Sequence, residues 1–264
     1  MSGIGGSRVR VALRNSIPYS QRRVIDGPLE RSRDTTLVGA MFDGLAPRYD
    51  AVNRLLSLRR DQQWRSHAAG LVAASRPHHV LDIATGTGDL LMAVARRTPT
   101  AVLEGVDIAS SMLRLGRLKA YRRGLSARVT FQCGDAIALP YHSNSFDVTT
   151  IAFGFRNVEN RSQALQEMLR VLTPGGRVLI LEFSLPAARA LRSLYLLYFR
   201  HVLPVLGGMI AGDVTAYRYL NRTVELFAGT DLVSLLTTAG FVAPKRIPLT
   251  FGVASIYIGR KAAD

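Results

Sequence analysis

The amino-acid sequence predicts an α/β fold built on a doubly wound sheet, mostly parallel, with an antiparallel C-terminal strand. Three features support this prediction. Short apolar segments alternate with segments in which apolar residues recur at helical spacing, a glycine-rich turn follows the first apolar segment, and two further apolar segments lie near the C-terminus. Strands that alternate with helices form parallel sheets covered by helices on both faces.

The predicted elements follow one another with short connections. We expect strands over residues 79–84, 101–107, 129–132, 146–153 and 177–183. Helices are expected over 90–95, over 111–123, and from Leu165 to the stop signal at residues 173–176, Thr-Pro-Gly-Gly. A further helix over 232–239 precedes an antiparallel pair of strands over 245–248 and 253–259.

The composition is that of a folded chain with a strong positive charge. Hydrophobic residues make up 48% of the 264 residues, which excludes a disordered chain. Lys and Arg number 34 against 19 Asp and Glu, so the chain either meets an anionic partner or carries a solvated arginine-rich surface. No apolar run reaches the ~20 residues that span a bilayer. The single cysteine, Cys133, excludes an intramolecular disulfide, and its apolar surroundings predict a buried thiol.

Residues 1–34 differ from the rest of the chain and are predicted to form a basic, disordered tail. They contain no acidic residue before Asp26, and their arginines are Arg8, Arg10, Arg14, Arg22, Arg23, Arg31 and Arg33. An organelle-targeting segment and an over-extended start site are the alternative interpretations. Residues 35–264 are expected to form one compact domain.

The turn after the first predicted strand indicates a nucleotide-like cofactor. It reads Asp-Ile-Ala-Thr-Gly-Thr-Gly-Asp from Asp82 to Asp89, and ligands of doubly wound sheets bind beyond the carboxyl ends of the strands. Gly86 and Gly88 allow the backbone to approach a ligand closely. Asp107 ends the second predicted strand, about 20 residues further on, where a carboxylate accepts hydrogen bonds from ribose hydroxyls.

A dinucleotide is the rival cofactor, and two features argue against it. The position of the third glycine in the dinucleotide fingerprint holds Leu91, and Asp89 at the helix start would repel a pyrophosphate. S-adenosylmethionine has no phosphate and is cationic at sulfur, so it suits this loop. The loop resembles motif I of class I methyltransferases, which have a Rossmann-like fold, and the strand that ends in Asp107 resembles their motif II.

Longer segments carry a more specific resemblance. Residues 41–57 read Met-Phe-Asp-Gly-Leu-Ala-Pro-Arg-Tyr-Asp-Ala-Val-Asn-Arg-Leu-Leu-Ser, residues 153–158 read Phe-Gly-Phe-Arg-Asn-Val, and residues 170–177 read Arg-Val-Leu-Thr-Pro-Gly-Gly-Arg. These segments resemble the ubiquinone/menaquinone biosynthesis C-methyltransferase family, over about residues 36–261. Thr173 replaces the usual Lys, and Ala152 replaces the usual Ser, which removes a side-chain hydrogen bond. The ending over 249–257 is closer to the menaquinone branch.

The resemblance implies transfer of a methyl group from S-adenosylmethionine to a ring carbon of a polyprenyl quinol. Demethylmenaquinol is the favoured substrate, and the C-methylation of 2-polyprenyl-6-methoxy-1,4-benzoquinol in ubiquinone biosynthesis is the alternative. The implied and motif-based cofactor-binding residues are Asp82, Gly86, Thr87, Gly88, Asp107, Met112, Asp135, Ala136 and Ala152. Met112 is equally typical of a core residue, and Asp135 of a turn residue.

Four residues are assigned to the chemistry. Arg156 would stabilise the developing phenolate by its charge or through a water, although a structural ion pair is its alternative role. Asn157 would hold a quinol oxygen. Tyr49 and Asp50 would close over the cofactor, with Asp50 as the nearby carboxylate able to act as base. The five histidines lack ligand spacing, so no metal is expected.

Partners and location are also predicted. The family resemblance implies a substrate-binding insertion around 186–225, and its apolar residues over 191–200 between arginines suit a prenyl tail and peripheral contact with the inner face of a membrane, reached from the cytoplasm. Packing into the core or into a homodimer or quinone-biosynthesis complex is the alternative. A mitochondrial location would follow if residues 1–34 are a targeting segment.

Two other functions are weighed against the quinol enzyme. An RNA methyltransferase would suit the charge of +15, but the sequence shows no appended RNA-binding module and no catalytic cysteine motif, so no nucleic-acid partner is expected. A non-catalytic scaffold that keeps the fold is the third hypothesis.

Overall fold

A computed structural model describes residues 54, 57, 59–198, 223, 224, 226, 227 and 229–263. Seven strands form one sheet in the order β3-β2-β1-β4-β5-β7-β6. The strands are β1 (His79–Ile83), β2 (Val102–Asp107), β3 (Val129–Cys133), β4 (Phe146–Ala152), β5 (Leu172–Phe183), β6 (Val242–Leu249) and β7 (Ala254–Arg260). The predicted tail over 1–34, Tyr49, Asp50 and most of the predicted insertion lie outside the described residues.

The direction of the strands confirms the predicted fold class. The first five strands pair in parallel, and β7 pairs antiparallel with both β5 and β6. Because β1 has β2 on one side and β4 on the other, the order of the strands reverses at the boundary between β1 and β4. In doubly wound sheets, a crevice opens at this switch point beyond the carboxyl ends of the strands.

Six helices are described, and they cover both faces of the sheet. They are α1 (Arg60–Ala73), α2 (Asp89–Ala95), α3 (Ser110–Arg122), α4 (Arg161–Val171), α5 (Arg189–Leu197) and α6 (Leu232–Thr238). One buried apolar layer includes Trp64, Leu91 and Leu103, and the other includes Leu81, Leu165 and Leu236. Strands buried on both faces have continuous apolar sequences, which explains why the first apolar segments predicted these strands well.

The observed bounds of the strands differ most from the predicted ones around residues 173–176. The sequence predicts a stop there and a strand from 177, whereas β5 begins at Leu172, directly after α4 ends at Val171. Leu172 pairs with Phe146, and the register then shifts to pair Val148 with Arg177. The turn is therefore an irregularity within the strand, with Gly175 at a φ of 76°. No helix in the described ranges is long and apolar enough to cross a bilayer.

Asp82 is a buried carboxylate in the central strand. Its side chain is 1% exposed and accepts hydrogen bonds from the Thr85 and Thr150 hydroxyls, each at 2.6 Å. Thr150 is its direct neighbour on β4. Burial raises the pKa of Asp82 to about 6, although the two hydroxyls act to lower it. The carboxylate thus joins β1, β4 and the glycine-rich loop at the switch point.

Replacement of Asp82 by Asn should change how stability depends on pH. The pKa of Asp82 is about 6 in the fold, against about 3.9 for a free carboxyl, so the folded chain binds this proton more tightly. The contribution of Asp82 to the free energy of unfolding is therefore fully favourable below pH 4 and falls by about 3 kcal/mol as pH rises through 6. Urea unfolding of wild type and Asp82→Asn from pH 4 to 7 measures this difference.

The matched variant is Thr150→Val, which removes a hydroxyl that lowers the pKa of Asp82. In this variant the fall in stability should extend to higher pH than in the wild type. Parallel pH curves for the wild type and Asp82→Asn would show that this carboxyl does not titrate as described.

Candidate active site

A cavity opens at the carboxyl ends of β1, β2, β3 and β4, where the sequence predicts the cofactor. Its wall comes from the loops that follow these four strands. Seven of the predicted site residues line it: Gly86, Asp107, Met112, Asp135, Ala136, Ala152 and Asn157. Asp82, Thr87, Gly88 and Arg156 are not among the described residues of the wall. The sequence therefore located the cavity correctly, but it did not separate residues of the wall from the residues behind them.

Asp107 holds the two loops that meet at the cavity. The Gly86 N–H donates to its Oδ2 atom at 2.8 Å, and the Ala109 N–H donates to its Oδ1 atom at 2.9 Å. Each carboxylate oxygen has a second acceptor direction. The side chain is half-buried and lines the cavity, so it can accept the vicinal hydroxyls of a ribose as well as the two loop amides.

The two glycines of the first loop have different roles. At Gly86, with a φ of 55°, an added Cβ would meet no atom of the described residues within 4 Å, so on their side the space beside it is open to a ligand. At Gly88, with a φ of 78°, an added Cβ would lie 2.9 Å from Cζ of Phe131. Gly86 thus permits close approach of a ligand, whereas Gly88 permits the start of α2 to pack against β3.

Thr87 and Asp89 are engaged by a lysine of α3. Lys119 Nζ donates to the Thr87 hydroxyl at 2.6 Å and to Oδ1 of Asp89 at 2.7 Å. Burial alone would raise the pKa of Asp89, but the charges of Lys119 and Arg65 outweigh it and hold that pKa below its usual value. Because Lys119 neutralises Asp89, Asp89 would repel a phosphate less strongly than the sequence suggested.

The segment after β3 supplies one side of the cavity. Oδ1 of Asp135 accepts a hydrogen bond from the Ile137 N–H at 3.2 Å, so Asp135 does stabilise a turn. It also lines the cavity, together with Ala136. Both interpretations of Asp135 from the sequence are therefore compatible with its position. Cys133, predicted to be buried, is exposed, because its side chain lies at the end of edge strand β3.

Two non-glycine residues of the cavity wall have left-handed backbone conformations. Ala84 follows β1 with a φ of 49°, and Phe153 follows β4 with a φ of 58°. Such conformations cost about 1–3 kcal/mol and concentrate at functional sites. The Phe153 ring packs 4.7 Å from the Phe183 ring, and the Arg65 guanidinium lies 5.1 Å from its centre. These contacts hold a strained residue at the switch point.

Arg156 and Asn157 lie on the same 3-10 turn, Phe155–Asn157, but their side chains have different surroundings. Asn157 lines the cavity, whereas the guanidinium of Arg156 is 5% exposed and forms an ion pair of 2.8 Å with Glu182. Arg156 Nη1 also donates to the Phe153 carbonyl. The alternative that Arg156 makes a structural ion pair is thus present in the fold. Its Nε atom is buried and has no hydrogen-bond partner in the described part of the chain.

The predicted insertion begins beside this turn. Tyr195 of α5 is half-buried with its hydroxyl oxygen buried, and burial raises its pKa although the charge of Arg156 acts to lower it. On the return side, the Phe227 ring lies 6.2 Å from the Phe155 ring, and Arg161 lies 4.9 Å above it. The return end of the segment over 186–227 therefore contacts the residues around the 3-10 turn.

Three residues near the site were missed in the sequence. Glu182 and Arg65 are buried, and Lys119 holds the first loop. Glu182 carries a detectable signal, since an acid interrupts the apolar run Val-Leu-Ile-Leu-Glu-Phe over residues 178–183. Lys119 and Arg65 lie in ordinary helical sequences that give no such signal. The described residues contain no group of His, Cys, Asp and Glu able to hold a metal.

Comparison with known proteins adds an independent line of evidence. The ubiE/COQ5 methyltransferase family matches residues 30–261. A demethylmenaquinone methyltransferase of Thermus thermophilus is 47% identical over 83% of this chain and 99% of its own length. The ubiquinone/menaquinone biosynthesis C-methyltransferase UbiE of Geobacter sulfurreducens is 44% identical over 88% of this chain and 89% of its own.

Solved structures show the same fold at low identity. A SAM-dependent methyltransferase from Thermotoga maritima has a TM-score of 0.56 and 18% identity, covering 84% of this chain and 99% of its own. The [4+2]-cyclase SpnF has a TM-score of 0.57 and 19% identity, covering 87% of this chain and 97% of its own. With these folds, the cavity and the sequence matches taken together, the chain belongs to the ubiE/COQ5 methyltransferase family.

Proposed function

We propose that the chain transfers a methyl group from S-adenosylmethionine to a ring carbon of a polyprenyl quinol. The observation that carries this proposal is the cavity in which Asp107 and the open side of Gly86 face Asn157 across the switch point. Relatives at 44% and 47% identity are named for C-methylation in ubiquinone and menaquinone biosynthesis. Demethylmenaquinol is the favoured substrate, and the benzoquinol of the ubiquinone branch is the second candidate.

The residues present fit the cofactor. Asp107 offers a carboxylate to the ribose, the bare backbone at Gly86 admits close contact, and Met112 with Ala136 provides apolar surface for the adenine. Asp135 is the acid on the adenine side. Asp82, Thr87 and Gly88 act behind the wall by shaping the loop, since hydrogen bonds and packing engage them there.

When bound, S-adenosylmethionine supplies an electrophilic methyl carbon. Loss of the quinol hydroxyl proton to a base would place negative charge on the neighbouring ring carbon, which could then accept the methyl group and lose its ring proton to the same base or to water. The chain must hold the ring in line and stabilise the phenolate. We assign Asn157 to hold a quinol oxygen. The role predicted for Arg156, through its charge or a bound water, stays a prediction, because Arg156 lies behind the wall and is paired with Glu182. Tyr49 and Asp50 keep their predicted roles of closure and base.

Product analysis tests the reaction. The purified chain is incubated with methyl-labelled S-adenosylmethionine and with each of the two demethylated quinols, kept reduced, and the lipid product is analysed by mass spectrometry. We expect one added labelled methyl group on the ring of the naphthoquinol. Methylation of the benzoquinol alone would move the chain to the ubiquinone branch, and labelling of neither quinol would contradict the proposed function.

Replacement of Asp107 by Ala should abolish tight cofactor binding. Hydrogen bonds to a charged group contribute about 1.5–3 kcal/mol each, and the variant loses two to the ribose together with the Gly86 loop contact, so we expect Kd to rise about 10²–10⁴-fold. Isothermal titration with S-adenosylmethionine measures the change. The matched control is Asp147→Asn, because Asp147 also accepts two backbone N–H groups, those of His78 and His79, but at the amino ends of β1 and β4, away from the cavity. An unchanged Kd in Asp107→Ala would remove Asp107 from the cofactor site.

We also propose peripheral contact with an anionic membrane surface, on the side of the cavity. Phe251 is 84% exposed although its φ is 57°, an unusual conformation for a bulky residue. Its neighbour Thr250 accepts a hydrogen bond from Trp64, and Gly252 lies against the Pro186 backbone, so the turn stands beside the start of the insertion. Leu197 of α5 is 56% exposed, and Arg189 and Arg192 are exposed on the same helix.

Homodimer formation and a quinone-biosynthesis complex stay predictions.

Replacement of Phe251 by Ser should weaken membrane binding. Burial of a Phe side chain contributes about 1.5–3 kcal/mol, so the affinity of the variant for the vesicles should be lower by about tenfold or more. Flotation with vesicles of 30% phosphatidylglycerol measures binding. Tyr121→Ser is the matched control. Tyr121 is 75% exposed near the C-terminal end of α3, and its replacement should leave vesicle binding unchanged. Equal flotation of wild type and Phe251→Ser would place the membrane contact elsewhere or exclude it.

A further inference from the structure

Glu182 is a carboxylate buried on an otherwise apolar face of the sheet. Its residue is 0% exposed, and the alternation of β5 places it on the same face as Val178 and Ile180, both of which belong to the apolar layer of α4 and α6. A buried charge is costly unless it is paired and hydrogen-bonded. The reason for an acid at this position must therefore lie in its partners.

Three N–H donors converge on this carboxylate. Oε1 accepts from Arg156 Nη1 at 2.8 Å and from the Phe183 N–H at 2.9 Å, and Oε2 accepts from the Arg156 N–H at 3.2 Å. Arg156 is thus held at both its main chain and its side chain by one group. Because the same guanidinium also donates to the Phe153 carbonyl, the whole segment from Phe153 to Arg156 is tied to Glu182.

This segment leads directly to the residue that faces the cavity. Phe153, Gly154 and Asn157 line the cavity, and Arg156 lies between Gly154 and Asn157 without being part of the wall. Arg161 donates to the Arg156 carbonyl at 3.0 Å, which fixes the next peptide unit, between Arg156 and Asn157. The orientation of Asn157 therefore depends on a turn whose central residue is anchored to β5.

Stability alone does not account for such a pair. A buried ion pair pays a desolvation cost about as large as its attraction, and apolar replacements of both partners are often neutral or stabilising. We propose that Glu182 is a positioning residue, which holds the turn that presents Asn157 to the reacting quinol. This inference rests on the proposed function for its substrate, but the geometry that it concerns lies wholly within the described chain.

The test compares Glu182→Gln with the wild type. The amide keeps the shape of the side chain but removes the charge, so the turn loses its anchor and Asn157 moves. A displacement of about 1 Å at a reacting centre can cost about 10²-fold in rate, so we expect kcat to fall about 100-fold while Kd for S-adenosylmethionine changes less than about twofold. Assays are run at a temperature at which thermal unfolding curves show both proteins fully folded. Asp147→Asn, which loses a carboxylate at the amino end of β4, away from the cavity, should keep the wild-type kcat.

A second measurement does not depend on turnover. The side-chain amide signal of Asn157 in the ¹⁵N-labelled chain, assigned with Asn157→Asp, should shift in Glu182→Gln and stay in place in Asp147→Asn. If kcat in Glu182→Gln equals that of the fully folded wild type, or if the Asn157 signal does not move, Glu182 only stabilises the fold and the inference is wrong. If the wild type methylates neither quinol while the signal shifts, the proposed function fails and the positioning role stands.

Discussion

Carboxylates at the ends of the strands hold the loops that form the site. Asp82 of β1 accepts from Thr85 in the first loop, Asp107 of β2 accepts from Gly86 and Ala109, and Glu182 of β5 accepts from Arg156 in the turn after β4. Each acid therefore fixes a loop that begins at its own strand or at a neighbouring one. These carboxylates tie the loops of the cavity wall to the strands, because each accepts hydrogen bonds from a loop hydroxyl, amide or guanidinium.

The same arrangement explains why net charge is a poor guide to the site. The chain carries a formal charge of +15, yet the acids around the cavity are each occupied by a specific donor. Lys119 neutralises Asp89, and Arg156 neutralises Glu182. The argument that Asp89 repels a phosphate thus loses part of its force, and the family relationship and the loop geometry support S-adenosylmethionine more strongly than electrostatics does.

The sequence predicted the fold and the cavity from features that are local in the chain. Apolar segments, the spacing from Gly86 to Asp107, and the segment around Asn157 are all visible within short stretches. The strands are confirmed, and Gly86, Asp107 and Asn157 line one cavity. Contacts between distant residues were not predictable in this way. Lys119 meets Thr87 across 32 residues, and Glu182 meets Arg156 across 26 residues, and no spacing rule links either pair.

The position of β7 has a consequence for synthesis of the chain. Seven residue pairs join β7 to β5, and β7 separates β5 from β6. Since the ribosome makes β7 after every other described strand, the edge of β5 stays open until nearly all of the described residues have been made. An open edge of this kind can pair with other chains. The nascent protein is therefore most exposed to aggregation at the moment just before its sheet closes, and a chaperone that covers β5 at that stage would raise its yield.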